Sequence, residues 1–238
     1  MNMNKILLFS SLLGLTSGLA SAAILLSGTT TVGLDTTVLG SIGLTVATAE
    51  QTGTPNTTGF APSLAIVGFA ITPGGTFSYD PATFPAEGSF AGTIEHSGFV
   101  TLNLDQDGEG GNPPTPVTIG QFTVSFDGAR ATGGRSGFFV LDNLDLKVIV
   151  FDVALLGSPA GGTSATGLTA TNETFNLGPA NLLVSPELAG ALGNLALTGA
   201  DLGDVRIDGL SVVPEPATLS LGAAALGLLL QRRRRQNA

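Results

Sequence analysis

Between residues 23 and 212 the chain alternates apolar and polar side chains over short stretches and breaks each stretch with glycine. A period of two sends successive side chains to opposite faces of an extended backbone, so the pattern demands half-buried strands rather than helices. Residues 89–96 set Phe90, Gly92 and Ile94 against Ala91, Thr93 and Glu95, and residues 99–104 set Val100, Leu102 and Leu104 against Phe99, Thr101 and Asn103. Ser97-Gly98 lies between them and predicts a hairpin turn. Only 11% of the residues are charged while 34 are glycine, which disfavours helix bundles and favours many strands joined by tight turns. The expected fold is all-β: one antiparallel β-sandwich-like domain, flanked by an N-terminal signal helix and a C-terminal transmembrane helix.

Taken in order, residues 24–49 read as strand pieces that include Thr36-Thr37-Val38-Leu39, and residues 51–62 as a loop. Residues 64–72 form an apolar strand stopped by Pro73. Phe77, Tyr79 and Phe84 stand among prolines, at an edge or in a loop. In residues 117–127 the apolar set changes parity near Gly120-Gln121, a candidate β-bulge. Residues 137–141 and 144–153 are the most apolar, with Phe138, Phe139, Val148, Val150 and Phe151 expected in the core. Lys147 and Asp152 are expected where strands emerge. One helix is signalled, with Ser185 as cap, Pro186 in the first turn, Glu187 favouring the dipole and Gly193 ending it. Residues 205–212 make the last strand.

The chain contains no cysteine, which removes disulfides, thiolate metal sites and cysteine nucleophiles. Within residues 23–212 the bases Arg130, Arg135, Lys147 and Arg206 face seventeen carboxylates. A surface so acidic repels phosphate backbones, so no nucleic acid partner is expected.

The two ends differ from this middle. Residues 1–22 have the form of a secretory signal peptide: Lys5, an apolar stretch over 6–15, and Ala20-Ser21-Ala22 as an A-x-A site for signal peptidase. Residues 213–238 carry Pro214-Glu215-Pro216, an uncharged apolar run over 217–230, and Arg232, Arg233, Arg234 and Arg235. In a bilayer such a run must close its own backbone bonds as a helix, and the arginines hold its end in the cytoplasm. Its fourteen residues rise about 21 Å against a hydrocarbon core of roughly 30 Å.

The order Val-Pro-Glu-Pro, apolar helix, arginine cluster resembles the PEP-CTERM sorting signal of Gram-negative bacteria, over residues 213–235. The resemblance implies that Pro214, Glu215 and Pro216 are the motif recognised by exosortase and that Arg232 to Arg235 are the cytoplasmic stop. It implies a precursor in the inner membrane, a mature form at the cell surface or in the extracellular matrix, and an association with exopolysaccharide and biofilm. More loosely, residues 92–98, 117–127 and 144–153 are similar to HtaA-type surface domains, which ligate haem iron through tyrosine. Tyr79, the one tyrosine, precedes that stretch.

Chemistry is sparse in the pattern. Asp105, Asp107 and Glu109, alternating with Gln106 and Gly108, match the opening of an EF-hand loop and could converge on calcium. The twelfth position, a bidentate Glu in that motif, is Pro116, so a solvated loop between strands is the preferred reading. His96, the only histidine, sits beside a turn and is expected at the surface; no nucleophile elbow accompanies it. No tryptophan is present to stack on sugar rings. The expectation is therefore a non-enzymatic exported protein, a structural or adhesive part of an exopolysaccharide matrix, without a cofactor. The alternative is a surface domain binding calcium, haem or glycan, and a secreted hydrolase ranks below both.

Overall fold

Alternation of side chains builds mostly antiparallel β structure in the described part of residues 23–212, a range that forms one compact unit. The computed structural model describes residues 22–85, 89–104, 113–155 and 168–214. In chain order the elements are β1 (Ala23–Leu34), α1 (Thr36–Ser41), β2 (Leu44–Glu50), β3 (Ala65–Ile71), β4 (Ser78–Tyr79), β5 (Phe90–Ala91), β6 (Ile94–Glu95), β7 (Phe99–Leu104), β8 (Thr115–Gly120) and β9 (Thr123–Phe126). They continue as β10 (Phe138–Leu141), β11 (Ile149–Leu155), β12 (Leu168–Ala170), β13 (Thr174–Val184), α2 (Pro186–Ala191) and β14 (Asp201–Val212). Among the described residues no helix is long and apolar enough to cross a membrane. The expected signal helix and the tail beyond Pro214 lie outside the described residues.

Eleven of the described strands join one sheet in the order β5-β4-β1-β14-β13-β11-β10-β9-β6, with β3 also on β1 and β12 also on β13. The two ends of that path, β5 and β6, are separated in sequence by Gly92-Thr93 alone. The sheet therefore curls until its edges come together, as a strongly twisted sheet of this many strands tends to. A second sheet, β2-β7-β8, faces its interior.

Two crossings between the sheets overturn two sequence expectations. Residues 89–96 and 99–104 do not form a hairpin: β5 and β6 belong to the large sheet and β7 to the small one. The parity change at Gly120-Gln121 is not a bulge within one strand. β8 pairs with β7, then Gln121 turns at φ 46° and β9 pairs with β6 and β10. Changing parity there keeps Ile119 and Phe122 both facing the interior, although their sheets differ. Backbone bonds lock the crossings side by side: the Gln121 N–H donates to the Gly98 carbonyl at 2.8 Å and the His96 N–H to the Phe122 carbonyl at 2.9 Å. Gly98 has φ 98°, and a side chain there would meet the Glu50 carbonyl at 2.7 Å.

Inside the curl one part of the core is a dense aromatic cluster and the other is mainly aliphatic, with Phe69, Phe122 and Phe151 among its side chains. Phe77, Tyr79, Phe90, Phe138 and Phe175 are buried and pack as a ring cluster, joined by Phe84 and Phe126. Phe77 and Tyr79 thus stand in the core, although β4 and β5 do end the strand order. Phe139 and Val148, expected in the core, are only half-buried. Thr36-Thr37-Val38-Leu39 is helical, not extended. The Asp35 carboxylate accepts from the Thr37 and Val38 amides at 2.9 and 3.1 Å, and this cap starts α1 against the β preference of its residues. The helix signalled at Ser185 forms as α2, with the Ser185 hydroxyl accepting from the Leu188 amide at 2.9 Å.

Candidate functional site

The mainly aliphatic part of the core holds a cavity of about 50 Å³ between the two sheets. Val100 and Ile119 line it from the small sheet, Phe69, Val140 and Leu182 from the large one, and Val32, Val117, Leu146 and Leu192 are half-buried members of the lining. Two polar side chains, Thr30 and His96, also line it, and they are bonded to each other.

His96 is buried, contrary to the expectation of a surface turn histidine. It occupies the crossing from β6 to β7, where the chain must dive between sheets. The Nδ1–H donates to the Phe122 carbonyl at 3.0 Å, which leaves Nε2 to accept from the Thr30 hydroxyl at 2.6 Å. Burial pushes the imidazole down from its ordinary 6.5 to about 4, against the opposing pull of the Phe122 carbonyl and the Glu95 charge. It is therefore neutral at neutral pH, and both ring nitrogens are engaged.

A second cluster gathers the described arginines other than Arg206. Asp152 on β11 is fully buried, not at a strand's emergence. Its carboxylate meets the Arg130 Nε at 2.7 Å and the Arg135 Nε at 3.2 Å. Arg130 also grips Glu187 at the start of α2 through two bonds of 2.7 and 3.0 Å, and its guanidinium lies 5.7 Å from the Phe139 ring centre. Those bonds raise the Arg130 pKa and hold the Glu187 carboxyl below its usual range. Four charges balance, so the cluster ties the loop after β9 to β11 and α2 and presents no unmatched charge to a ligand.

Asp142 is likewise fully buried. Its carboxylate accepts from four backbone amides, those of Gly120, Leu144, Leu146 and Lys147, at 2.7 to 3.1 Å. This one side chain shapes the loop between β10 and β11 and pins it to the end of β8. Lys147, exposed, takes a left-handed φ of 54° in that loop.

The other sequence candidates fall as follows. Ala22 is exposed immediately before β1, and Pro214 is exposed two residues after β14. Ala20, Glu215, Pro216 and Arg232 to Arg235 lie outside the described residues, as do Asp105, Asp107 and Glu109. The strands flanking that acidic stretch pair Leu104 with Thr115, so residues 105–114 bridge β7 and β8. The buried Tyr79 donates its hydroxyl proton between the Thr171 and Thr174 carbonyls, at 2.7 and 2.9 Å. It serves the β12–β13 turn, and burial raises its pKa. Among the described residues no group of three or more His, Asp and Glu is placed to hold a metal ion. No protein-family model matches the chain, and a search of curated proteins finds no significant match.

Sequence reasoning missed the roles of Asp142, Asp152 and His96. Asp142-Asn143 between two apolar runs is a recognisable turn signal for the first. Arg130, Asp152 and Glu187 are too far apart in sequence to announce a shared site.

Proposed function

We propose that this is an exported surface protein, delivered by signal peptidase cleavage after Ala22 and sorted by exosortase at Pro214-Glu215-Pro216. In this reading the inner membrane holds the precursor through the 217–230 run. The mature antiparallel domain, sandwich-like where its small sheet faces the large one, is a structural or adhesive component of an exopolysaccharide matrix, without catalytic activity. The observation that carries the reading is the fixed order of proline motif, apolar run and arginine block over residues 213–235. A supporting feature is the use made of buried polar groups: His96, Asp142 and Asp152 each hold backbone or neighbouring side chains in place. Intact-mass measurement on protein from its native host tests both cuts. The expected mass lacks residues 1–22 and the apolar run; a surface form that retains the run refutes the sorting reading, as does normal trimming in cells without exosortase.

The cavity favours a second reading, a ligand-carrying surface domain. A void of about 50 Å³, if dry, costs roughly 1 kcal/mol. Its apolar lining and small volume suit an atom-sized apolar guest such as xenon, and exclude haem or glycan. A rise in the thermal midpoint under xenon, whose size matches the void, supports this reading, and no change at saturating xenon opposes it.

A further inference from the structure

The outward row of β14 changes character along its length. Asp204, Arg206 and Asp208 are charged, and Arg206 pairs with Asp208 at 2.9 Å; the next two outward residues are Leu210 and Val212. These are 60% and 42% exposed. Across the β1–β14 pair, Ile24 stands opposite Val212 and Ser27 opposite Leu210, with Leu26 in the irregularity between, 52% exposed. Three of the four large apolar side chains that stand exposed among the described residues thus lie on neighbouring rungs where the first strand begins and the last one ends. The fourth, Leu195, is 71% exposed beyond α2.

What lies next along the chain identifies the partner. Four residues, 213–216, separate Val212 from the apolar run, and even fully extended they reach roughly 14 Å. The headgroup layer on each side of a bilayer is about 5–8 Å deep. The run itself is short for the hydrocarbon by about 9 Å. A segment too short to span draws its flanks toward the bilayer, and here the flank carries bare leucine and valine.

We propose that Leu26, Leu210 and Val212 form a lipid-contacting patch that seats the β domain in the outer headgroup region while the tail is inserted. The inference rests on the membrane reading of residues 217–230. The patch has no charge of its own, and its charged neighbours include the self-neutralising Arg206–Asp208 pair and Glu173, whose carbonyl accepts from the Ser211 amide. It therefore fits a zwitterionic surface rather than an anionic one. The depth of insertion is that of an interfacial anchor, about 5–10 Å, not of a spanning element.

The sequence has no tryptophan, so a single introduced one reports alone. Full-length Leu210→Trp, Leu195→Trp and Leu226→Trp chains are reconstituted separately into phosphatidylcholine vesicles, with and without bromine-labelled acyl chains. The expected result is blue-shifted, bromine-quenched emission for Leu210→Trp and Leu226→Trp, and water-like, unquenched emission for Leu195→Trp. Quenching of Leu226→Trp without Leu210→Trp overturns the patch and leaves the membrane tail standing. A blue shift of Leu210→Trp without quenching identifies a second protein copy as the occupant and also overturns it. Quenching of Leu195→Trp removes the specificity claimed for the patch. An unquenched Leu226→Trp overturns the membrane tail and this inference together.

Discussion

Replacing His96 by Gln removes the one imidazole and with it a defined share of acid sensitivity. In the native chain the ring is held near a pKa of 4, whereas in the unfolded chain it returns to about 6.5. Above pH 6.5 the ring is neutral in both states and contributes no pH dependence. As pH falls from 6.5 to 4 the unfolded chain takes up a proton that the native chain refuses, so native stability drops. Below 4 both states are protonated and the loss levels off. The separation corresponds to about 3 kcal/mol. Urea unfolding of wild type and His96→Gln at pH 7 and pH 4 measures it: carboxylates titrate in both chains, and the difference in slope belongs to His96. Wild type should lose about 3 kcal/mol more than the variant between those pH values, whatever constant offset the variant carries from lost hydrogen bonds. With a single histidine, its Cε1 proton gives one unambiguous NMR titration. A folded-state midpoint near 6.5, or parallel pH slopes, would refute the buried, doubly bonded imidazole.

Two further outcomes follow from the buried polar groups. Arg130→Met leaves the Asp152 carboxylate facing Arg135 alone and should cost about 3–5 kcal/mol in urea unfolding, with much of that recovered in Arg130→Met/Asp152→Leu; a loss under about 1 kcal/mol denies the cluster its structural role. Tyr79→Phe takes the donor from the Thr171 and Thr174 carbonyls and should cost about 1–3 kcal/mol, read from the same assay, while an unchanged midpoint shows that water replaces the hydroxyl.

Local signals carried the sequence reading where the deciding physics is local. Ser185, Pro186 and Glu187 announce α2 because capping acts within one turn. The alternation in residues 117–127 revealed two apolar sets, but the same parity slip describes a bulge or a change of sheet. Only the partners of Gly120 and Thr123, which lie on different sheets, distinguish them. The expected hairpin at Ser97-Gly98 failed for the same reason: a Ser-Gly turn also serves a chain that leaves one sheet for another. At Thr36–Leu39 the β-prone residues predict a strand, and the cap at Asp35 prevailed in the fold. His96 looked solvated because a turn next to glycine is usually outside; here two such crossings pack against each other in the interior. The Asp152 cluster had no local signature at all.

The rungs joining β1 to β14 run from Ile24 opposite Val212 to Leu34 opposite Gly203, so the domain's first and last residues leave from the same end of one antiparallel ladder. Tension applied through both ends would open that ladder one hydrogen bond at a time, like a zip, instead of shearing many together. A load-bearing fibre built by linking such domains tip to tail would be mechanically soft. Gripping the domain at one end, with adhesion spread over its flanks, spares this seam.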